Sequence, residues 1–197
     1  MLEFWFDFAS TYSYVAAMRI EAEAARAGVE VGWKPFLLGP IFTELLGIRD
    51  SPFNLHPVRG RYMWRDLERL CEKYGLAWRK PSVFPRNGLL AARVACALSG
   101  TRAEAAGIRE MFRANFVEDQ DISDAHVIAA ALERAGVQSE PVLALAVTPE
   151  VKQQLRANTD EARALGMFGA PDFVVGGELF FGQDRLGDAI AWSTRRK

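Results

Sequence analysis

Cysteine and histidine are scarce in this chain of 197 residues, which has two of each. Cys71 and Cys96 form no C-x-x-C pair, and each falls in an apolar helical stretch, so both read as small core residues and not as a redox couple. His56 and His126 have no H-x-x-x-H or C-x-x-C companions, so no metal site is expected. No apolar run reaches the roughly 18 residues that a membrane span requires. Charge of one sign is also missing: Lys and Arg number 24 against 25 for Asp and Glu, a net charge of −1. That balance leaves no electrostatic footprint for nucleic acid or an anionic membrane. The start of the chain lacks a basic segment, since Arg19 is its first cation and Glu3 and Asp7 come earlier, which argues against a signal peptide. A cytoplasmic, reducing location without disulfides is the expectation.

What is present is ordinary globular composition, 50% hydrophobic and 25% charged. A chain of this length buries roughly 70% of its unfolded surface and needs no metal or disulfide to fold. Residues 2–8 (LEFWFDF) make an apolar, aromatic run that suits a buried strand. A helical pattern over 12–27 closes at Gly28, and alternation over 29–36 marks a second strand, giving a parallel βαβ start. From 39 to 147 nearly every segment has helical periodicity, including 57–74, 87–98, 101–116 and a helix capped by Ser123 and closed by Gly136. Thr148-Pro149-Glu150 opens a helix to about residue 165 as N-cap, N1 proline and acidic first turn. Two short strands flanking Gly176-Gly177 predict a type I′ hairpin, and Gly182-Gln183-Asp184-Arg185 starts a last helix.

Removing the helical block leaves the order βαβ–αββα. The expected fold class is therefore α/β: a thioredoxin-like domain (1–38 and 148–197) carrying a large all-helical insertion (39–147). In that element order Pro171, just before the third strand, stands where thioredoxin-like folds place a cis-proline.

Ser10 lies where the first strand feeds the first helix, the position at which such folds hold C-x-x-C; here the spacing reads Ser10-x-x-Ser13. A hydroxyl pair cannot cycle between dithiol and disulfide, which excludes that redox chemistry at this position. Two readings stay open for Ser10. It is a helix N-cap, or it donates a hydrogen bond to an anion at the helix start. If the anion is the thiolate of a bound thiol, the thiol pKa falls from about 8.5 and the chain works with a borrowed cysteine, such as that of glutathione. Asp184 is either a capping acid paired with Arg185 or a partner for the α-ammonium of a γ-glutamyl group. Arg59 and Arg61, after Asn54 and Pro57, are either solvated or able to grip a carboxylate. Phe36, Phe42, Trp64 and Phe84 form either ordinary core or an aromatic pocket.

Five segments in register carry a resemblance along the whole chain. They are Phe6-Asp7-Phe8-x-Ser10-x-Tyr12-Ser13-Tyr14, Gly39-Pro40-Ile41-Phe42, Gly60-Arg61-Tyr62-Met63, Gly169-Ala170-Pro171 and Phe181-Gly182-Gln183-Asp184-Arg185-Leu186. Together they resemble the 2-hydroxychromene-2-carboxylate isomerase family, close to kappa-class glutathione transferases and within the disulfide-oxidoreductase-A-like group. The resemblance implies glutathione as cofactor, a homodimer, and a small aromatic substrate isomerised to a trans-hydroxybenzylidenepyruvate during aromatic degradation. It also implies roles by position. Ser10 faces the glutathione sulfur, Asn54 bonds glutathione or substrate, and Ala170, before Pro171, pairs through its main chain with the cysteinyl part. Gln183 and Asp184 hold the γ-glutamyl end, Arg59 falls where the family often has Lys, and Phe42 and Phe84 border the substrate. Thr11 in place of a proline and Asp172 in place of a threonine depart from the family pattern. The alternatives are a kappa-like transferase acting on other electrophiles, and a non-catalytic thioredoxin-like binding protein in which Ser10 is only a cap.

Overall fold

The computed structural model describes residues 1–195. Its sheet has four strands in the order β2-β1-β3-β4: β1 (Leu2–Phe6), β2 (Val31–Pro35), β3 (Asp172–Val175) and β4 (Glu178–Phe181). β1 runs parallel to β2 and antiparallel to β3, and β3 is antiparallel to β4. β1 is a central strand covered on both faces, so apart from Glu3 it reads as an apolar run and not as an alternation. It ends at Phe6 and not at residue 8, because Asp7 turns the chain by accepting the Ala9 N–H at 2.7 Å.

The crossover expected as one helix is two, α1 (Thr11–Ala17) and α2 (Ile20–Arg26). The break falls at Arg19, whose guanidinium lies 3.6 Å over the Tyr74 ring and bonds both Glu23 and Gln183 at 2.9 Å. No glycine or proline marks it, so tertiary contacts override a continuous helical pattern. The block that follows is helical throughout: α3 (Leu38–Leu46), α4 (Pro52–Leu55), α5 (Pro57–Tyr74), α6 (Leu89–Ala97), α7 (Glu104–Phe116), α8 (Ala125–Arg134) and α9 (Ser139–Ala146). The cap of α8 is Asp124, which accepts the His126 N–H at 2.8 Å, and not Ser123, whose hydroxyl donates to Asp121. α10 (Pro149–Ala164) opens as expected, with Thr148 capping Val151. Gly176 and Gly177 both take positive φ, the requirement of a type I′ turn. Gln183–Arg185 is a 3-10 turn and not the first turn of an α-helix; α11 (Leu186–Arg195) follows it.

One core joins the sheet to the helical block. Phe6 and Phe8 meet edge to face, and Phe8 lies 4.6 Å from Phe112 of α7. Each such fully buried aromatic contributes about 1.5–3 kcal/mol through the water it leaves. A smaller cluster covers the opposite face of the sheet, with Trp5 and Val174 packed beside Phe36, Ile41 and Ala162. The Ala170–Pro171 peptide is cis, as the element order implies, and Phe84–Pro85 is cis as well.

Candidate active site

The first strand delivers two side chains to one place. Asp7, buried, accepts the Ala9 N–H at 2.7 Å and the Leu38 N–H at 2.8 Å, which ties the loop before α1 to the loop before α3. Burial pushes its carboxyl above the usual range, and the two backbone donors oppose that rise. Ser10 then caps α1: its Oγ accepts the Ser13 N–H at 3.1 Å. The same hydroxyl donates to the carbonyl of Ala170 at 2.9 Å, across the sheet from the other end of the chain. Capping and positioning are therefore both satisfied by one oxygen.

Around Ser10 opens a cleft of about 830 Å³. Phe42 of α3, Phe53 of α4, Phe84 and Phe181 give it apolar walls, and Arg59 of α5 borders it. Arg59 has no ion-pair or hydrogen-bond partner among the described residues, so its charge is available to an incoming anion. The Tyr12 hydroxyl donates to Asp66 at 3.0 Å, and desolvation together with that carboxylate holds the phenol protonated. Gly60 is where α5 crosses α4: a Cβ there would collide with the Phe53 carbonyl, so glycine permits the close approach.

Ser10, Phe42, Arg59, Phe84 and Ala170 thus come together on the cleft. Asn54 lies beside it with a different occupation: its amide donates to the Phe84 carbonyl at 2.9 Å and to Asp50 at 3.1 Å, holding the wall residue in place. Gln183 is buried and accepts from Arg19 at 2.9 Å. Asp184 is exposed, 3.8 Å from Arg185, and close enough to Tyr12 to raise its phenol. Pro171, Gln183 and Asp184 are not among the residues that line the cleft; the Gly182 N–H donates to the Pro171 carbonyl at 2.9 Å, which sets them just beyond the lining residues Ala170 and Phe181. Phe36 and Trp64 belong elsewhere. Phe36 is fully buried against Trp5, and Trp64 stacks on Trp78 behind Phe84.

Two residues of consequence were not singled out for a site by sequence reasoning. Arg86, 7% exposed, donates to Asn115, to Ser82 and to Asp119, while Asn115 donates to the Phe8 carbonyl at 3.0 Å. This network fastens the 82–88 wall to the segment that presents Ser10. The Ser82 amide and the Arg86 guanidinium hold the Asp119 carboxyl down at about 2. Asp172, noted in the sequence only as a departure from a pattern, is fully buried with neither carboxyl oxygen bonded, and burial pushes it up to about 7. Its signal was present, an acid opening an otherwise apolar strand, but the pattern could not say that it lacks partners.

The cleft carries no thiol of the chain. Cys71 and Cys96 are buried and unpaired, and burial pushes them up to about 11 and about 12, far from thiolate formation at neutral pH. Among the described residues no cluster of His, Cys, Asp and Glu could hold a metal ion, and no helix is long and apolar enough to cross a membrane.

Comparison with known proteins agrees with this architecture. A family model described as DSBA-like thioredoxin domain matches residues 1–189. The chain is 25% identical over 186 residues to 2-hydroxychromene-2-carboxylate isomerase of Sphingobium xenophagum, covering 94% of this chain and 93% of that one. It is 28% identical over 199 residues to glutathione S-transferase kappa 1 of Homo sapiens, covering 94% and 87%. The solved structure of a 2-hydroxychromene-2-carboxylate isomerase superposes with a TM-score of 0.86 at 23% identity, covering 99% of this chain and 95% of that one.

Proposed function

The chain belongs to the DSBA-like thioredoxin domain family, and from that membership we propose that it is a glutathione-dependent isomerase of 2-hydroxychromene-2-carboxylate-type aromatic substrates. The observation that carries the reading is Ser10. A hydroxyl occupies the position of the nucleophilic sulfur in this family, bonded to Ala170 at 2.9 Å on a cleft large enough for a tripeptide and an aromatic acid together. Bound glutathione would supply the sulfur nucleophile that the chain itself lacks at this position.

The residues suit such a guest. Ser10 Oγ can turn its proton from the Ala170 carbonyl to a thiolate, exchanging a neutral hydrogen bond for a stronger, charge-assisted one. The main chain of Ala170 faces the same point. Arg59 offers a free guanidinium for a carboxylate, and Asp184 an exposed carboxylate for an ammonium group. Phe42 and Phe84 supply the flat apolar walls that an aromatic ring prefers, and burial of the ring between them excludes water from the reacting carbon. Asn54 contributes by fixing Phe84.

A second reading shares the same sulfur step: a transferase that adds the glutathione sulfur to other electrophiles and releases the conjugate, favoured by the 28% identity to glutathione S-transferase kappa 1. A cytoplasmic homodimer completes the proposal, by analogy with the family resemblance. The test is isomerisation of a 2-hydroxychromene-2-carboxylate, followed by absorbance with and without glutathione. Turnover is expected only when glutathione is present; equal rates without it would sink the proposal. Conjugate accumulating in place of isomer would select the transferase.

A further inference from the structure

Among the described residues Asp172 is the only buried carboxyl group with no hydrogen-bond partner on either oxygen. It stands opposite Trp5 on β1 and Phe181 on β4. Directly paired residues of neighbouring strands share a face, so its carboxyl projects on the Trp5 side of the sheet. Ala170 and Val174, two residues to either side, both pack there in the cluster with Trp5, Phe36 and Met167. An ionised carboxylate in such surroundings has neither donor nor counter-charge.

The charges facing it are all engaged elsewhere. On β1, Glu3 accepts from the Trp5 indole at 3.1 Å, and just past its end Asp7 accepts from the Ala9 and Leu38 amides. On β2, Lys34 lies 5.2 Å from the Trp5 ring and 3.6 Å from Glu161 of α10. On α10, Arg163 pairs with Glu44 of α3 and with Asp160. The charged residue of β4, Glu178, stands opposite Val175 and so belongs to the other face. Burial alone accounts for the raised Asp172 carboxyl, at about 7 against an ordinary 3.8. The sign follows: the folded state favours the protonated form, so the stability it contributes is full below about 4 and is lost as pH rises to 7 and beyond.

The neighbours of Asp172 make the two contacts that shape the cleft. The Ala170 carbonyl accepts from Ser10 at 2.9 Å, and the Pro171 carbonyl accepts from Gly182, at the head of the turn that bears Gln183 and Asp184. We propose that Asp172 is a positioning residue that makes the cleft pH-responsive. Protonated, it leaves Ala170 on Ser10 and Pro171 on Gly182; ionised, it draws the segment towards water and withdraws both contacts. Under the glutathione reading, on which this second consequence rests, the thiol would lie at Ser10, against the main chain of Ala170 two residues before Asp172. Ionisation that withdraws Ala170 removes that contact, so thiol binding and Asp172 ionisation oppose each other reciprocally.

Two measurements on the whole chain, wild type beside Asp172→Asn and Asp172→Thr, decide it. Without any ligand, the amide resonances of Ser10 and Gly182 should shift together with an inflection near neutral pH in the wild type and stay flat in the variants. Identical titration curves in all three proteins overturn the inference; the threonine variant serves if the asparagine one does not fold. With glutathione, calorimetry should show the ratio of wild-type to variant Kd rising about tenfold between about pH 6 and pH 8.5, the ionisation of the free thiol cancelling in the ratio. A constant ratio overturns the coupling. Absence of binding in every protein at every pH contradicts the glutathione reading instead, and the ligand-free resonances still decide the role of Asp172.

Discussion

Ser10 serves two purposes with one oxygen: it caps α1 through Ser13 and reaches Ala170 through its proton. The two can be separated by truncation. As a cap it is worth about 1 kcal/mol, whereas a hydrogen bond to a charged sulfur contributes about 1.5–3 kcal/mol, a factor of roughly 10–100. Ser10→Ala should therefore lower the thermal midpoint by only a few degrees while reducing the glutathione-dependent rate at least tenfold, as scanning calorimetry and steady-state kinetics would show. An unchanged rate would leave Ser10 as a cap alone. Ser10 was legible in the sequence because strand, helix and a missing C-x-x-C converge on it. Asn54 was legible as a polar residue near the cleft, but not as the clamp on Phe84, because that bond joins residues whose proximity only the folded chain creates. Asp172 was visible as an acid in an apolar strand; the absence of partners that gives it a role is a property of packing.

Elements were read well wherever the chain punctuates itself. α5 runs over Pro57–Tyr74 as expected because a proline opens it and Gly75, in left-handed conformation, closes it. The hairpin follows from Gly176-Gly177 alone. The division between α1 and α2 carries no such mark and depends on Arg19 reaching Tyr74 and Gln183. The segment 82–88 is a similar case: it has no regular structure until Leu89, and its shape is held by Arg86. Arg86→Met keeps the length of the side chain but leaves Asn115, Ser82 and the buried side of Asp119 without their donor. Removing the Arg86 donor should lower the urea midpoint at unchanged m-value. Because Asn115 also holds Phe8, KM for the aromatic substrate should rise and kcat fall. A variant as stable as the wild type would show the wall to be held by other contacts.

At the scale of the molecule, the sheet and the helical block share one core through Phe6, Phe8, Phe112 and Phe116. The cleft is lined from distant stretches of the chain: Ser10, Ala170 and Phe181 come from the segments around the sheet, and Phe42, Phe53, Arg59 and Phe84 from the helical segment between β2 and α10. The scarcity of cysteine gains its meaning at this scale. Both thiols are sealed in the core and held protonated, and at the start of α1 the chain carries the hydroxyls of Ser10 and Ser13 in place of a C-x-x-C. The central claim is that the reactive sulfur is borrowed and held as a thiolate against Ser10. Thiolate absorbance in the ultraviolet on adding glutathione at about pH 7 tests it most directly, since the free thiol, with a pKa of about 8.5, is mostly protonated there. A saturable absorbance increment equivalent to one thiolate per chain is predicted for the wild type and its loss for Ser10→Ala; a wild-type titration no different from free glutathione would contradict the account.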